Sequence, residues 1–247
     1  AALSYASTAH GEQHVLVFDF GGGTLDVTVM RIDDQGAREV LATDGVPIGG
    51  DLLDRRIVMG KMLGHFGEGA TLGPRKMALP ALLLDHLSEW QSIVDLTQPR
   101  YLSIIDEAIR TGDKPNELRA LRTLVRENYG LPLYEQVERA KVRLSDDPRT
   151  TIAMDVPGIR FSDTLERWDF DRLIGPDVRE VSACIDRALA AAGLTAADID
   201  VVLRTGGSSR IPRFVRMLAD KFGADKLKEM DVFTGVAAGL AIAAHDQ

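Results

Sequence analysis

Two carboxylates and a hydroxyl surround three consecutive glycines in Asp19-Phe20-Gly21-Gly22-Gly23-Thr24-Leu25-Asp26. Three glycines remove every Cβ from a turn, so backbone N–H groups can close on something bulky and anionic. Asp19 and Asp26 cannot bind a phosphate directly, but they can hold a Mg²⁺ or a water that does. That chemistry is a phosphate–metal loop. A plain hairpin turn has the same look. A dinucleotide fingerprint needs a helix after its glycines. Here Leu25, Val27 and Val29 alternate with Asp26, Thr28 and Met30, which is strand periodicity. A Walker-type loop is excluded because no Gly-Lys-Ser/Thr follows.

Two further junctions have the same character. Pro47-Ile48-Gly49-Gly50-Asp51 opens an expected helix from about Asp51 to Phe66, and a helix N-terminus behind two glycines suits an anion. Arg204-Thr205-Gly206-Gly207-Ser208-Ser209-Arg210-Ile211-Pro212 joins a short strand, Ile199–Leu203, to a helix that Pro212 starts. Each is also an ordinary loop and cap. Together they suggest loops gathered around one nucleotide.

The elements that must position these loops follow from periodicity. Residues 14–20, 25–32 and 38–44 read as a three-stranded meander. Residues 67–76 read as a Gly-rich loop. From Met77 to Ser145 the pattern is helical, with breaks at Pro99, Gly112 to Pro115 and Gly130-Leu131-Pro132. Leu82, Leu83, Leu87, Trp90 and Val94 form a stripe that reads as core. Strands are expected at about 150–156 and 159–162, and one long helix from Trp168 to Ala192, ended by Gly193. Gly235 to Gly239 reads as a closely packed part of a last helix.

The 247 residues carry a net charge of −8, which argues against nucleic acid as the main partner. The single cysteine, Cys184, sits in an apolar helical pattern and reads as core, in a reducing compartment. The longest apolar stretch, Val232 to Ala244, is too short to span a bilayer, so a cytoplasmic protein without membrane partners is expected. Ala1-Ala2-Leu3-Ser4-Tyr5-Ala6 reads like the end of a helix without an initiator Met, and a piece of a longer protein is expected.

The loops resemble a family. Phe18 to Val27 resembles the second phosphate loop of the DnaK-type, seventy-kilodalton heat-shock chaperones, and Ile48 to Asp54 that family's next loop. Glu138-Arg139-Ala140-Lys141-Val142-Arg143-Leu144-Ser145 resembles its adenosine-contacting helix, and Leu203 to Pro212 its adenosine loop. The order is the family's, and only residues 61–130 fall outside the likeness.

The resemblance implies an α/β, actin-like ATPase (ribonuclease H-like) lobe: a mixed β-sheet with flanking helices, plus an enlarged, mainly helical inserted subdomain. Residues 1–60 and 146–247 would form the lobe II core, and residues 61–145 the insert, ending in the adenosine-contacting helix. The ligands would be ATP or ADP with Mg²⁺. Asp19 would position the water shell of the metal or the attacking water, and Asp19, Thr24 and Asp26 would be the catalytic groups. Gly21, Gly22, Gly23 and Thr24 would hold the β- and γ-phosphates, and Gly49 and Gly50 would approach phosphates or ribose. Glu138, Lys141 and Ser145 would meet ribose and adenine, and Gly206, Gly207, Ser208 and Arg210 would cradle the adenosine. Lobe I, with its own phosphate loop and lysine, would come from the parent chain, and the chain alone would be inactive. The insert would offer a surface to nucleotide-exchange or co-chaperone partners. Val142 stands where the family usually has an adenine-stacking Arg, and Asp231-Val232-Phe233-Thr234 has no counterpart of the family's acidic residue. The long insert resembles a branch of short, YegD-like chaperone-like proteins. The rival functions are a sugar or acetate kinase of the same superfold, a degenerate nucleotide sensor, and a filament-forming actin-like protein.

Overall fold

A computed structural model describes residues 12–230. The segments Ala1 to Ala6, Asp231 to Thr234 and Gly235 to Gly239 singled out above lie outside the described residues, as does the Val232 to Ala244 run. The described residues open with strands β1 (Gln13–Phe20), β2 (Leu25–Ile32) and β3 (Arg38–Val46), then helix α1 (Gly50–Ile57). A small β4–β5 pair (Thr71–Leu72, Met77–Ala78) leads to α2 (Ala81–Asp85), α3 (Trp90–Ile93), α4 (Pro99–Thr111), α5 (Pro115–Arg126) and α6 (Gly130–Asp146). A hairpin, β6 (Arg149–Val156) and β7 (Ile159–Glu166), precedes α7 (Arg167–Leu173) and α8 (Gly175–Ala191). Strand β8 (Val201–Thr205), helix α9 (Pro212–Phe222) and strand β9 (Leu227–Glu229) are the last described elements. The elements form two compact units, one from the two outer parts of the chain, up to Leu52 and from Ile174 onward, and one from Leu53–Leu173.

The outer unit is an α/β lobe on a mixed sheet of order β3-β2-β1-β8-β9. Strands β1, β2 and β3 pair antiparallel, whereas β8 lies parallel to β1 and β9 parallel to β8. Central β1 is covered on both faces: Val15, Leu16, Val17, Phe18 and Phe20 are all buried. Val15 and Val17 join Met30, Ile32, Val201 and Leu203 in one cluster. Phe18, on the other face, meets Phe20 edge to face, and Phe20 meets Phe214 of α9 at 4.8 Å. Helix α8 buries Val178, Val181, Cys184, Ile185 and Ala188 at helical spacing.

Parallel pairing fixes where the loops fall. Asp19 is in register with Thr205, so β1 and β8 end side by side at one edge of the sheet. The loops after both strands must therefore meet.

The inner unit is mainly helical. Helix α5 buries Leu118, Leu121, Leu124 and Val125, and α6 buries Leu133, Val137, Ala140 and Leu144. The β6–β7 hairpin alternates buried Ile152 and Met154 with exposed Ala153 and Asp155.

Several local expectations change, and of the stripe read as core Leu82, Trp90 and Val94 are exposed. Residues 67–76 are not only loop, because Thr71 and Leu72 pair with Ala78 and Met77. The helix expected to Phe66 leaves α geometry at Val58 and continues as a π turn and then a 3₁₀ turn. The helix expected from Trp168 to Ala192 is two helices, because Pro176 starts a new one at its first turn and cannot donate to the helix before it. Strand β7 also runs four residues beyond the expected end, to Glu166.

Candidate nucleotide site

The glycine turn closes on itself, with the Gly21 N–H donating to the Thr24 carbonyl at 3.1 Å. Its carbonyls then receive the other two junctions of the outer unit. The Gly50 N–H donates to the Gly21 carbonyl at 3.1 Å and the Asp51 N–H to the Gly22 carbonyl at 2.8 Å. The Ser208 hydroxyl donates to the same Gly21 carbonyl at 2.8 Å. The three loops expected around one ligand are thus joined at Gly21 and Gly22.

The glycines divide into two kinds. A Cβ on Gly49 would lie 2.3 Å from the Gly22 carbonyl oxygen, and one on Gly206 2.2 Å from that of Phe20, where φ is also +84°. These two glycines are required by the approach of one backbone to another. A Cβ on Gly23 or Gly207 would meet nothing within 4 Å, so packing gives no reason for either. Gly22, Gly23, Thr24 and Gly207 are exposed. Among the described residues the amides of Gly22, Gly23 and Thr24 have no acceptor. The turn therefore combines a rigid base with an open, donor-lined rim.

Asp19 and Asp26 are direct cross-strand partners in the β1–β2 register. The pair is like-charged, an arrangement unfavourable across a ladder. Asp19 is exposed as a residue, yet partial burial at the strand end, and then the charge of Asp26, raise its carboxyl above the usual range. Raising an acid's pKa on folding makes its ionised form cost stability, so that cost appears as pH rises. A cation would relieve the same repulsion. Thr24 Oγ1 donates to Asp26 Oδ2 at 3.0 Å. No group of three His, Cys, Asp or Glu side chains that could hold a metal occurs among the described residues. A site with one or two carboxylates and water otherwise fits Mg²⁺, which keeps much of its hydration shell.

The remaining candidates sit as follows. Arg210 is exposed and pairs through Nε with Glu229 Oε1 at 3.2 Å. In the inner unit, Glu138, Lys141 and Ser145 share one side of α6 by their spacing of three and four. Glu138 is exposed and Ser145 half-buried, whereas Lys141 is buried and donates to Asp54 Oδ2 at 2.7 Å. Val142 is 58% exposed. Cys184 is buried in the outer unit, and burial, helped by Asp44, pushes its thiol up to about 11, which suits core and not a nucleophile.

Sequence reasoning missed three residues. Gly45 lies opposite Asp26, and a Cβ there would come within 3.2 Å of Asp26 Oδ1, so its bareness makes room for that carboxylate. Asp51 brings a third acid near the turn, its Oδ1 3.8 Å from where a Gly22 Cβ would stand. Asp54 is the partner of Lys141. Only Asp51, in the first turn behind Gly49-Gly50, had a signal of its own.

Comparison with known proteins gives these loops a context. A family model described as Hsp70 protein matches residues 1–72 and 126–245. The chain belongs to the Hsp70 family. Its fold is accordingly that of an actin-like ATPase lobe. The Hsp70 chain is 32% identical to "Heat shock 70 kDa protein BIP3" of Oryza sativa subsp. japonica, across 99% of its own length and 30% of that protein's. It is 30% identical to "Chaperone protein DnaK" of Deinococcus deserti and 29% identical to that of Thermus thermophilus, in both across 99% of its own length. These alignments cover 32% and 33% of the two DnaK proteins, so the Hsp70 chain spans about a third of the length of its curated relatives. The Hsp70 family implies nucleotide binding. Among the described residues no helix is long and apolar enough to cross a membrane.

Proposed function

We propose that this chain is the second, nucleotide-binding lobe of a heat-shock-type chaperone ATPase. The observation that carries the reading is the joining of three junctions at the Gly21 and Gly22 carbonyls, with exposed, acceptor-free amides at Gly22, Gly23 and Thr24. In this role those amides hold the β- and γ-phosphates of ATP or ADP, and Gly207, Ser208 and Arg210 cradle the nucleoside. Phosphoryl transfer needs positioned donors more than covalent chemistry, and preorganised amides supply them. Asp19, with Asp26 and Thr24 beside it, holds a water-bound Mg²⁺, which when present neutralises phosphate charge. Glu138, Lys141 and Ser145 meet ribose and base, and Lys141 must exchange Asp54 for the nucleotide to do so.

A complementary lobe I on a longer polypeptide completes the clamp. The 247 residues contain no second Asp-x-Gly-Thr loop, and the chain spans 30–33% of its relatives' length. Alone, the chain binds ATP weakly and does not turn it over. The protein acts in the cytoplasm, resembles the YegD-like branch in plan, and uses the helical segment 61–145 to meet nucleotide-exchange or co-chaperone partners.

Val142 favours a second reading, a nucleotide sensor that does not hydrolyse, because an exposed Val offers no stacking surface for adenine. Calorimetric titration with Mg-ATP tests the binding, and turnover of the longer protein separates the two readings. Weak binding by this chain, together with turnover lost in Asp19→Asn of the longer protein, is the expected result. No turnover in either form would favour the sensor, and equal turnover in both would remove Asp19 from the catalytic role. Tight binding or steady hydrolysis by this chain alone would contradict the need for a second lobe.

A further inference from the structure

The inner unit concentrates arginine where neither the glycine junctions nor the family match reaches. Arg110 lies in the last turn of α4, and Arg119 and Arg122 lie about one turn apart on α5. With Asp106, Ile109 and Thr123 they line an open cleft of about 450 Å³. All six residues fall between 72 and 126, the stretch that the family model leaves unmatched. The activity shared by the family therefore gives no reason for them.

Each guanidinium is tethered through a single nitrogen. Arg119 Nη1 donates to Asn116 Oδ1 at 2.8 Å, Arg122 Nε lies 2.6 Å from Asp106 Oδ1, and Arg110 Nη2 meets Glu107. A guanidinium carries five N–H donors, so each arginine keeps donors beyond its tether. Tethering also removes part of the rotamer entropy that a long side chain loses on binding. Among the described residues Arg119 has no acidic partner. The wall is braced from the hairpin side. Gly158, at the β6–β7 tip with φ +84°, sits so close to Thr123 that a Cβ there would be 2.9 Å from its Oγ1.

The charge pattern selects the ligand. Planar guanidinium forks match carboxylates in two-point hydrogen bonds. Asp106 balances Arg122 and Glu107 balances Arg110, Arg119 is left without an acidic partner among the described residues, and Ile109 contributes an apolar surface. A compact, highly charged anion would meet Asp106 head on, whereas carboxylates spaced along a peptide can straddle it. Three arginines against Asp106 and Glu107 leave one positive charge in excess at the cleft, in a chain whose net charge is −8.

We propose that the α4–α5 cleft docks an acidic, Asp/Glu-rich segment of a partner protein. The proposal rests on the partner reading of segment 61–145 and deepens it by naming the partner's chemistry, and nucleotide binding is not required for it. Fluorescence anisotropy of a labelled oligoglutamate peptide, with oligoglutamine as control, tests it on the full chain. Saturable binding is expected for oligoglutamate only, unchanged by saturating Mg-ATP and weakened by added salt. Arg110→Glu with Arg119→Glu should weaken it about tenfold or more, with helical circular dichroism retained. Arg119→Ala, a change at an exposed side chain, should weaken it less and in the same direction. No saturable binding, equal binding of oligoglutamine, or full affinity in the charge-reversed chain would overturn the proposal. So would inorganic tripolyphosphate binding at this cleft when the peptide does not. Capture of a co-chaperone that survives Arg110→Glu with Arg119→Glu would remove the acidic docking and leave the broader partner reading standing.

Discussion

Gly206 and Gly23 both lie in glycine-rich junctions but answer to different constraints. Gly206 is held at φ +84° with the Phe20 carbonyl 2.2 Å from any Cβ, whereas Gly23 faces open space. Gly206→Ala should therefore cost about 1–3 kcal/mol, since the clash is with backbone that cannot rotate away. Gly23→Ala should stay within about 0.5 kcal/mol of the parent chain. Urea unfolding measures both, and equal losses would show that Gly23 is also needed for packing. If the nucleotide reading holds, Gly23→Ala weakens ADP binding despite its intact stability. The sequence displayed all of these glycines but could not sort them, because the sorting depends on which backbone lies opposite. Gly45 was invisible for the same reason: its value comes from Asp26 on the neighbouring strand.

At the scale of elements, local pattern was readable where a period was long enough to be unambiguous. Strand β2 alternates over most of its eight residues and β1 carries a continuous apolar run between turn signals, and both were found nearly to the residue. The β4–β5 strands have two residues each, too few for any period. The break between α7 and α8 was hidden because amphipathic spacing continues across Ile174, although Gly175-Pro176 marked it. Contacts between distant elements left no trace in pattern at all. Lys141 on α6 and Asp54 on α1 are 87 residues apart, and the pair is almost fully buried. Lys141→Met should cost about 3–5 kcal/mol, because Asp54 loses the ammonium that balances it in a poorly solvated site. Adding Asp54→Leu should return a large part of that loss, since two apolar groups need no charge balance. Denaturant midpoints of the two single variants and the double variant form the cycle that measures the coupling. Additive losses would mean that the pair contributes nothing specific to folding.

At the scale of the molecule, the two units differ in how far along the chain their contacts reach. The inner unit is one continuous stretch, Leu53–Leu173, and its β6–β7 hairpin closes over a two-residue turn. The outer unit must bring the two outer parts of the chain together. The His14 N–H donates to Asp200 Oδ2 across 186 residues, the Asp200 N–H donates back to the His14 carbonyl, and Ser208 reaches Gly21 across 187. No local period announces such closures. The three glycine junctions taken together, and the order of the four family-like motifs, implied that Gly21 and Ser208 would meet. Distant pairing loses loop-closure entropy before its contacts form, so it is the slower event. Pulse-labelled hydrogen exchange during refolding should protect amides of β6, β7 and α6 before those of the β1–β8 pair. The glycine turn gains its rigid base only when β1 and β8 lie side by side, so any nucleotide affinity should appear with the later phase. Protection of both groups at one rate would mean that the chain folds as a single cooperative whole, and that the closure of its distant parts is not the step that builds the site.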